Sequence, residues 1–176
     1  MAEIYIGSEA IDRDTYASAG YTVLDLNTLA AYSGTIYTWK IWLYVSATNA
    51  KVGTFSGSGL EWDDRDYETI GSVTAGSEQT FNDLDIDVET GDGAGFYDAN
   101  GQAEAGAGNA GGYKAGDQFG QGAQTYTDFD YYLSFNGTGT TGWSNIAKVN
   151  GVTATDLAKV RGIAVASIAK RRGVAV

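Results

Sequence analysis

Carboxylates are the only abundant side chains in this sequence that can do acid–base or metal chemistry. The chain of 176 residues holds 22 Asp and Glu, and neither His nor Cys. Without His, the usual general base and the commonest zinc ligand are missing. Without Cys there is no thiolate nucleophile, thiolate metal site or disulfide. A Ser-His-Asp triad, an HExxH metalloprotease and a His-based phosphatase are excluded. Paired carboxylates remain: two Asp or Glu suffice for glycoside hydrolysis, and clustered oxygens can hold Ca²⁺. Two groups qualify. Glu61, Asp63, Asp64 and Asp66 flank Trp62. Asp83, Asp85 and Asp87 alternate with Leu84, Ile86 and Val88, so on a regular strand they share one face. Like charges so placed repel, and a bound cation would relieve the repulsion. These three are therefore the candidate Ca²⁺ ligands, although the run lacks the glycine of an EF-hand loop. The simpler reading of both groups is solvated surface, and the sequence predicts no enzymatic activity and no other cofactor.

Aromatic side chains offer binding rather than catalysis. Sugars stack on ring faces while Asp or Asn fixes their hydroxyls. Trp42, Tyr44, Trp62 and Tyr113 are the candidate ligand-binding residues, with a cell-surface glycan as the candidate ligand. Asn136-Gly137-Thr138 matches a glycosylation sequon, a weak signal alone.

The elements that must position these residues read as β. In Thr35–Ser46, Tyr37, Trp39, Ile41, Leu43 and Val45 alternate onto an apolar face. Ile36, Thr38, Lys40, Trp42 and Tyr44 fall on a mixed one. Further strands are expected at Val52–Phe55, Tyr67–Val73, Glu78–Phe81, Asp83–Val88, Ala94–Tyr97 and Phe129–Phe135. Turn signals such as Asp98-Ala99-Asn100-Gly101 separate them. The spacing predicts an all-β fold: an antiparallel β-sandwich or jelly roll over residues 1–142. Within it, residues 98–122 are rich in Gly and Ala and read as a long loop, with Tyr113, Phe119 and Tyr126 as anchors.

The segment 143–176 differs in kind. Asn145–Thr155, Asp156–Ala166 and Ser167–Val176 repeat with a period of 11 residues, each with Ile or Leu before Ala-Lys and a later Gly. Each unit reads as strand, Gly turn, strand. A helix over Asp156–Lys170 is the alternative, and Gly162, Ile163 and Val165 argue against it. One unit has too few apolar residues for a core, so several chains are expected to bury Ile146, Val149, Val152, Leu157, Val160, Ile163 and Ile168 together, as a homo-oligomer and most simply a trimer. Lys148, Lys159, Lys170, Arg171 and Arg172 give the segment a docking surface for an acidic partner. The body (residues 1–144) carries −16 and the tail (residues 145–176) +5, summing to −11. This polarity favours protein docking over nucleic acid. No signal peptide or membrane span is visible, which predicts synthesis in a cytoplasm and no membrane partner.

Several runs carry a resemblance. They are Lys51-Val52-Gly53-Thr54-Phe55, Asp66–Ser77, Gln79-Thr80-Phe81 and Gly91-Asp92-Gly93-Ala94-Gly95-Phe96-Tyr97. Together they resemble jelly-roll modules of tailed-bacteriophage virion proteins. The tail Ala147-Lys148-Val149-Asn150-Gly151-Val152 is similar to the AKVNGVA-type endings of such proteins. The resemblance implies a virion-surface role as decoration protein, head fibre or tail component, often trimeric, docked on other virion proteins. It transfers no functional residue. Three other functions are weighed against it: a carbohydrate-binding module for host adsorption, a subunit of an extracellular filament, and a carboxylate glycosidase.

Overall fold

A computed structural model describes residues 2–108, 110–141, 148–149 and 152–153. By backbone contacts the chain falls into two compact units, Met1–Gly142 and Trp143–Val176. The described residues are all-β, without a helix, and the named strands pair antiparallel.

In the first sheet, β1 (Glu3–Gly7) pairs with β14 (Phe135–Thr140), and β14 with β4 (Gly34–Val45). The opposite edge of β4 takes β7 (Glu78–Val88). Beyond Ile41, β4 pairs with β9 (Gln102–Ala107), which is joined by β2 (Thr15–Tyr16) and β13 (Tyr131–Leu133). The second sheet has the order β11 (Gln124–Thr125), β6 (Glu61–Val73), β5 (Ala47–Ser58), β8 (Gly93–Tyr97), β3 (Tyr21–Asp25), β10 (Gly111–Ala115) and β12 (Thr127–Asp128). Only Ser46 separates β4 from β5, so the chain crosses between sheets in one residue. In the second unit, β15 (Lys148–Val149) pairs with β16 (Val152–Thr153).

The larger core gathers Ile4, Ile6, Trp39, Ile41, Leu43, Phe96 and Phe135 with their neighbours, all fully or almost fully buried. Trp39 packs on Phe135 at 6.1 Å, and glycine at 137 is required because a Cβ there would lie 2.8 Å from the Trp39 ring. A smaller core joins Leu24, Phe55, Trp62, Phe119 and Tyr126.

Three expectations change. The expected loop at 98–122 contains β9 and β10, because small residues let these strands sit close among their neighbours. Its expected anchors Phe119 and Tyr126 are buried in the smaller core. The expected alternation along β4 breaks at a bulge: consecutive Thr138 and Gly139 of β14 oppose Thr38 and Ile36, leaving Tyr37 as an extra residue that is exposed, while on the other side three β7 residues, Asp83 to Asp85, lie opposite it. A second irregularity between Leu43 and Val45 leaves Tyr44 and Val45 exposed. The row of Asp83, Asp85 and Asp87 is broken too, since Asp83 sits opposite the bulge with φ of 63°. An aspartate tolerates this left-handed backbone better than most residues.

Candidate functional site: an aromatic groove

Four short segments of the body meet around an open groove of about 370 Å³, lined by Ala17, Ser18, Tyr21, Val23, Tyr113 and Phe129. Ala17 and Ser18 follow β2, and the Ala17 N–H donates to the Ala103 carbonyl at 2.9 Å. Tyr21 opens β3 after Gly20, and the Gly116 N–H donates to the Gly20 carbonyl at 2.8 Å. Tyr113 lies at the centre of β10, opposite Val23 on one side and Thr127 on the other. Phe129 follows β12 and is held by its N–H on the Gly111 carbonyl at 3.0 Å. Residue 111 must be glycine for this contact: a Cβ there would stand 2.9 Å from the Leu24 carbonyl oxygen and 3.0 Å from that of Phe129. The glycine-rich composition that reads as a loop is thus what lets Phe129 close against β10.

The rings have a defined geometry. Tyr113 meets Tyr21 at 5.7 Å and 68°, and Phe129 at 5.7 Å and 69°. Phe129 continues to Tyr131 at 4.7 Å. Two rings therefore stand steeply to a third, and buried Val23 backs the groove.

The four candidate aromatics have separate surroundings. Tyr113 lies in the groove. Tyr44 is exposed and stacks on Tyr16 at 4.3 Å and 10°, forming a small aromatic platform. Trp42 is half-buried on β4 opposite Glu78. Trp62 is corrected from a ligand candidate to a core residue: it is 5 % exposed, and its indole N–H donates to the Gly59 carbonyl at 3.0 Å. Tyr21 and Phe129 were not singled out by sequence. The available signal was an aromatic directly after glycine, in Gly20-Tyr21 and Gly112-Tyr113.

The carboxylates hold strands to their surroundings. Asp64 accepts the Gly120 N–H at 2.9 Å, and Glu61 accepts the Thr125 hydroxyl. Glu68 accepts the Asp85 N–H at 2.6 Å and Asp66 the Asp87 N–H at 2.8 Å. β6 side chains thus accept two β7 N–H groups. Burial, then the Asp66 and Asp85 charges, push the Asp87 carboxyl above the ordinary range, against the pull of Arg65. Arg65 itself bridges to buried Asp92, 3.1 Å from Oδ1. Among the described residues, no three or more Asp or Glu side chains are gathered closely enough to hold a metal ion, the candidates Asp83, Asp85 and Asp87 included.

Of the candidate oligomerisation residues, Lys148, Val149 and Val152 lie in the β15–β16 pair, described by backbone alone. Ile146, Leu157, Val160, Ile163, Ile168, Lys159, Lys170, Arg171 and Arg172 lie outside the described residues. No protein-family model, curated protein or solved structure matches this chain.

Proposed function

We propose that this chain is a non-enzymatic structural protein of a phage-type particle, a decoration protein, head fibre or tail component, with a jelly-roll body and a C-terminal self-association segment. The observation that carries the reading is the nesting of the strands. Taken as a series of eight, β1, β3, β4, β5, β6, β7, β8 and β14 pair first with last: β1 with β14, β3 with β8, β4 with β7, β5 with β6. Alternate pairs are linked, the first to the third by β14–β4 and the second to the fourth by β8–β5. This order supports a jelly-roll reading, since a chain folded back on itself as one long hairpin and then rolled would give it, and jelly rolls are common in viral capsid and lectin domains. Fold alone does not assign function. The second support is the charge polarity at the junction of the two units, an acidic body followed by a basic repeat.

In this reading three chains bury the repeated Ile, Val and Leu positions of their tails together. The tail's positive charge orients it on acidic neighbours in the particle. The test is molar mass by light scattering, on the full chain and on a chain ending at Ser144. A trimer that becomes monomeric on truncation is the expected result. Indefinite polymers would point to a filament subunit. A monomer in both would overturn self-association through the tail.

A further inference from the structure

We propose that the groove of Tyr21, Tyr113 and Phe129 is an aromatic cage for a small organic cation of the quaternary ammonium class. The proposal goes beyond the particle reading and does not depend on it. Three observations lead there. The first is ring geometry. Tyr21 and Phe129 each stand at nearly 70° to Tyr113, with centroids 5.7 Å from it, so three rings border one open space. Ring faces carry the negative part of the aromatic quadrupole, and several rings around one volume attract a cation without a formal ion pair.

The second observation is charge. Residues 1–144 carry −16 overall, and each of their five basic side chains is engaged with groups that do not line the groove. Arg13 donates to Ser134 and Glu9, and Lys114 to the Thr125 carbonyl. Lys40 pairs with Glu78, Lys51 with Asp117, and Arg65 with Asp92. Among the described residues no basic side chain lines the groove, and the field of the acidic body favours a cation arriving from solution. The exposed Asp128 and Asp130 flank Phe129 in sequence.

The third observation is the scarcity of other polar side chains. Apart from the tyrosine hydroxyls, Ser18 is the only polar side chain in the lining. A sugar needs a fan of hydrogen-bonding groups to fix its hydroxyls, whereas a methylated ammonium ion has no N–H or O–H on its charged head to satisfy. The lining suits the second ligand.

The test uses the full chain at constant ionic strength and two probes of the same shape, choline and its uncharged analogue 3,3-dimethylbutan-1-ol. Binding is followed by calorimetry and by ligand-observed NMR. The expected result is saturable choline binding, with the uncharged analogue about tenfold weaker or more. Phe129→Leu keeps an apolar side chain but removes a ring face, and should weaken choline roughly three- to thirtyfold. Tyr37→Phe, at an exposed ring outside the groove, should bind choline about as the parent does. A thermal melt checks that each variant folds, and the two-probe comparison on the parent chain decides the matter without any variant. Equal binding of both probes, absence of saturable choline binding, or binding of a neutral hexose in place of choline would overturn the cage.

Discussion

Asp98 and Asp25 are both buried aspartates of the same β body, and their carboxyls move in opposite directions. Asp98, 2 % exposed, closes the corner where β5 begins and β8 ends. Burial alone would raise its pKa. Four backbone N–H groups overcome that and hold it below the ordinary value: Gly101 at 2.6 Å and Asn100 at 2.8 Å on one oxygen, Asn49 at 2.9 Å and Thr48 at 3.2 Å on the other. Asp25, fully buried at the end of β3, accepts N–H bonds only from Leu133 at 2.8 Å and Asn27 at 3.1 Å, with help from the Ser8 hydroxyl. There desolvation wins and the pKa rises. Both side chains are out of contact with solvent, but Asp25 lies deeper among protein atoms and has fewer fixed donors, and the balance of desolvation against N–H donation decides whether a carboxylate is welcome as an anion.

Amide replacements, which keep shape and remove charge, test that difference. The largest effect is expected at Asp98. In Asp98→Asn, the new NH₂ group must face two of the four N–H donors, so about 3 kcal/mol of folding stability should be lost. Urea unfolding measures it. Asp25→Asn turns an amide toward a single N–H donor and removes a charge the site already disfavours. A loss of about 1 kcal/mol is expected by the same measurement. Equal losses at the two positions would break the comparison.

The two aspartates also differ in how visible they are in the sequence. Asp98 starts the Asp98-Ala99-Asn100-Gly101 turn signal, and its bonds to the N–H groups two and three residues on are what that pattern predicts. Its bonds to Thr48 and Asn49 and the role of Asp25 are long-range, and no local pattern encodes them. The same division holds elsewhere. The apolar alternation of Trp39, Ile41 and Leu43 was readable because it is local. The outward turn of Tyr37 was not, because the bulge is set by pairing with β7 and β14. Of the groove, the sequence marks only Tyr113. Its ring partners arrive from 92 residues earlier and 16 later, through strand register. The glycines that permit the approach look like loop composition when read alone.

The pH dependence should separate the two sites next. Folded Asp98 binds its proton less tightly than the unfolded chain does. Its contribution is therefore present above the ordinary value of 3.8 and lost as pH falls through the lower folded value. Folded Asp25 binds its proton more tightly, so its contribution is present below 3.8 and lost as pH rises through the raised folded value. The cost of Asp98→Asn should shrink on acidification, while that of Asp25→Asn should shrink as pH rises. Urea unfolding of both variants beside the parent, across about pH 3 to 7, reads the two slopes. Slopes of the same sign would contradict the donor-count account.

The smallest effect is expected at Glu104, which extends the comparison to a still poorer donor set. Glu104 lies on β9 between buried Ala103 and Ala105 and is 4 % exposed. Desolvation raises its pKa, the Arg13 backbone N–H opposes the rise, and the Asp12 charge adds to it. Its Oε2 is buried and has no hydrogen-bond partner among the described residues. Raised folded affinity for the proton means that its contribution is present below the ordinary value of 4.5 and lost as pH rises. Glu104→Gln abolishes that titration. At acidic pH the variant should match the parent within about 0.5 kcal/mol, since a neutral acid is exchanged for a neutral amide. Toward neutral pH it should become the more stable of the two, by about 1 kcal/mol, because the parent alone must hold a buried charge. A substantial loss of stability in Glu104→Gln at neutral pH would mean that the carboxylate is held as an anion by a cation or donor beyond those described, and the donor count would then no longer order the three sites.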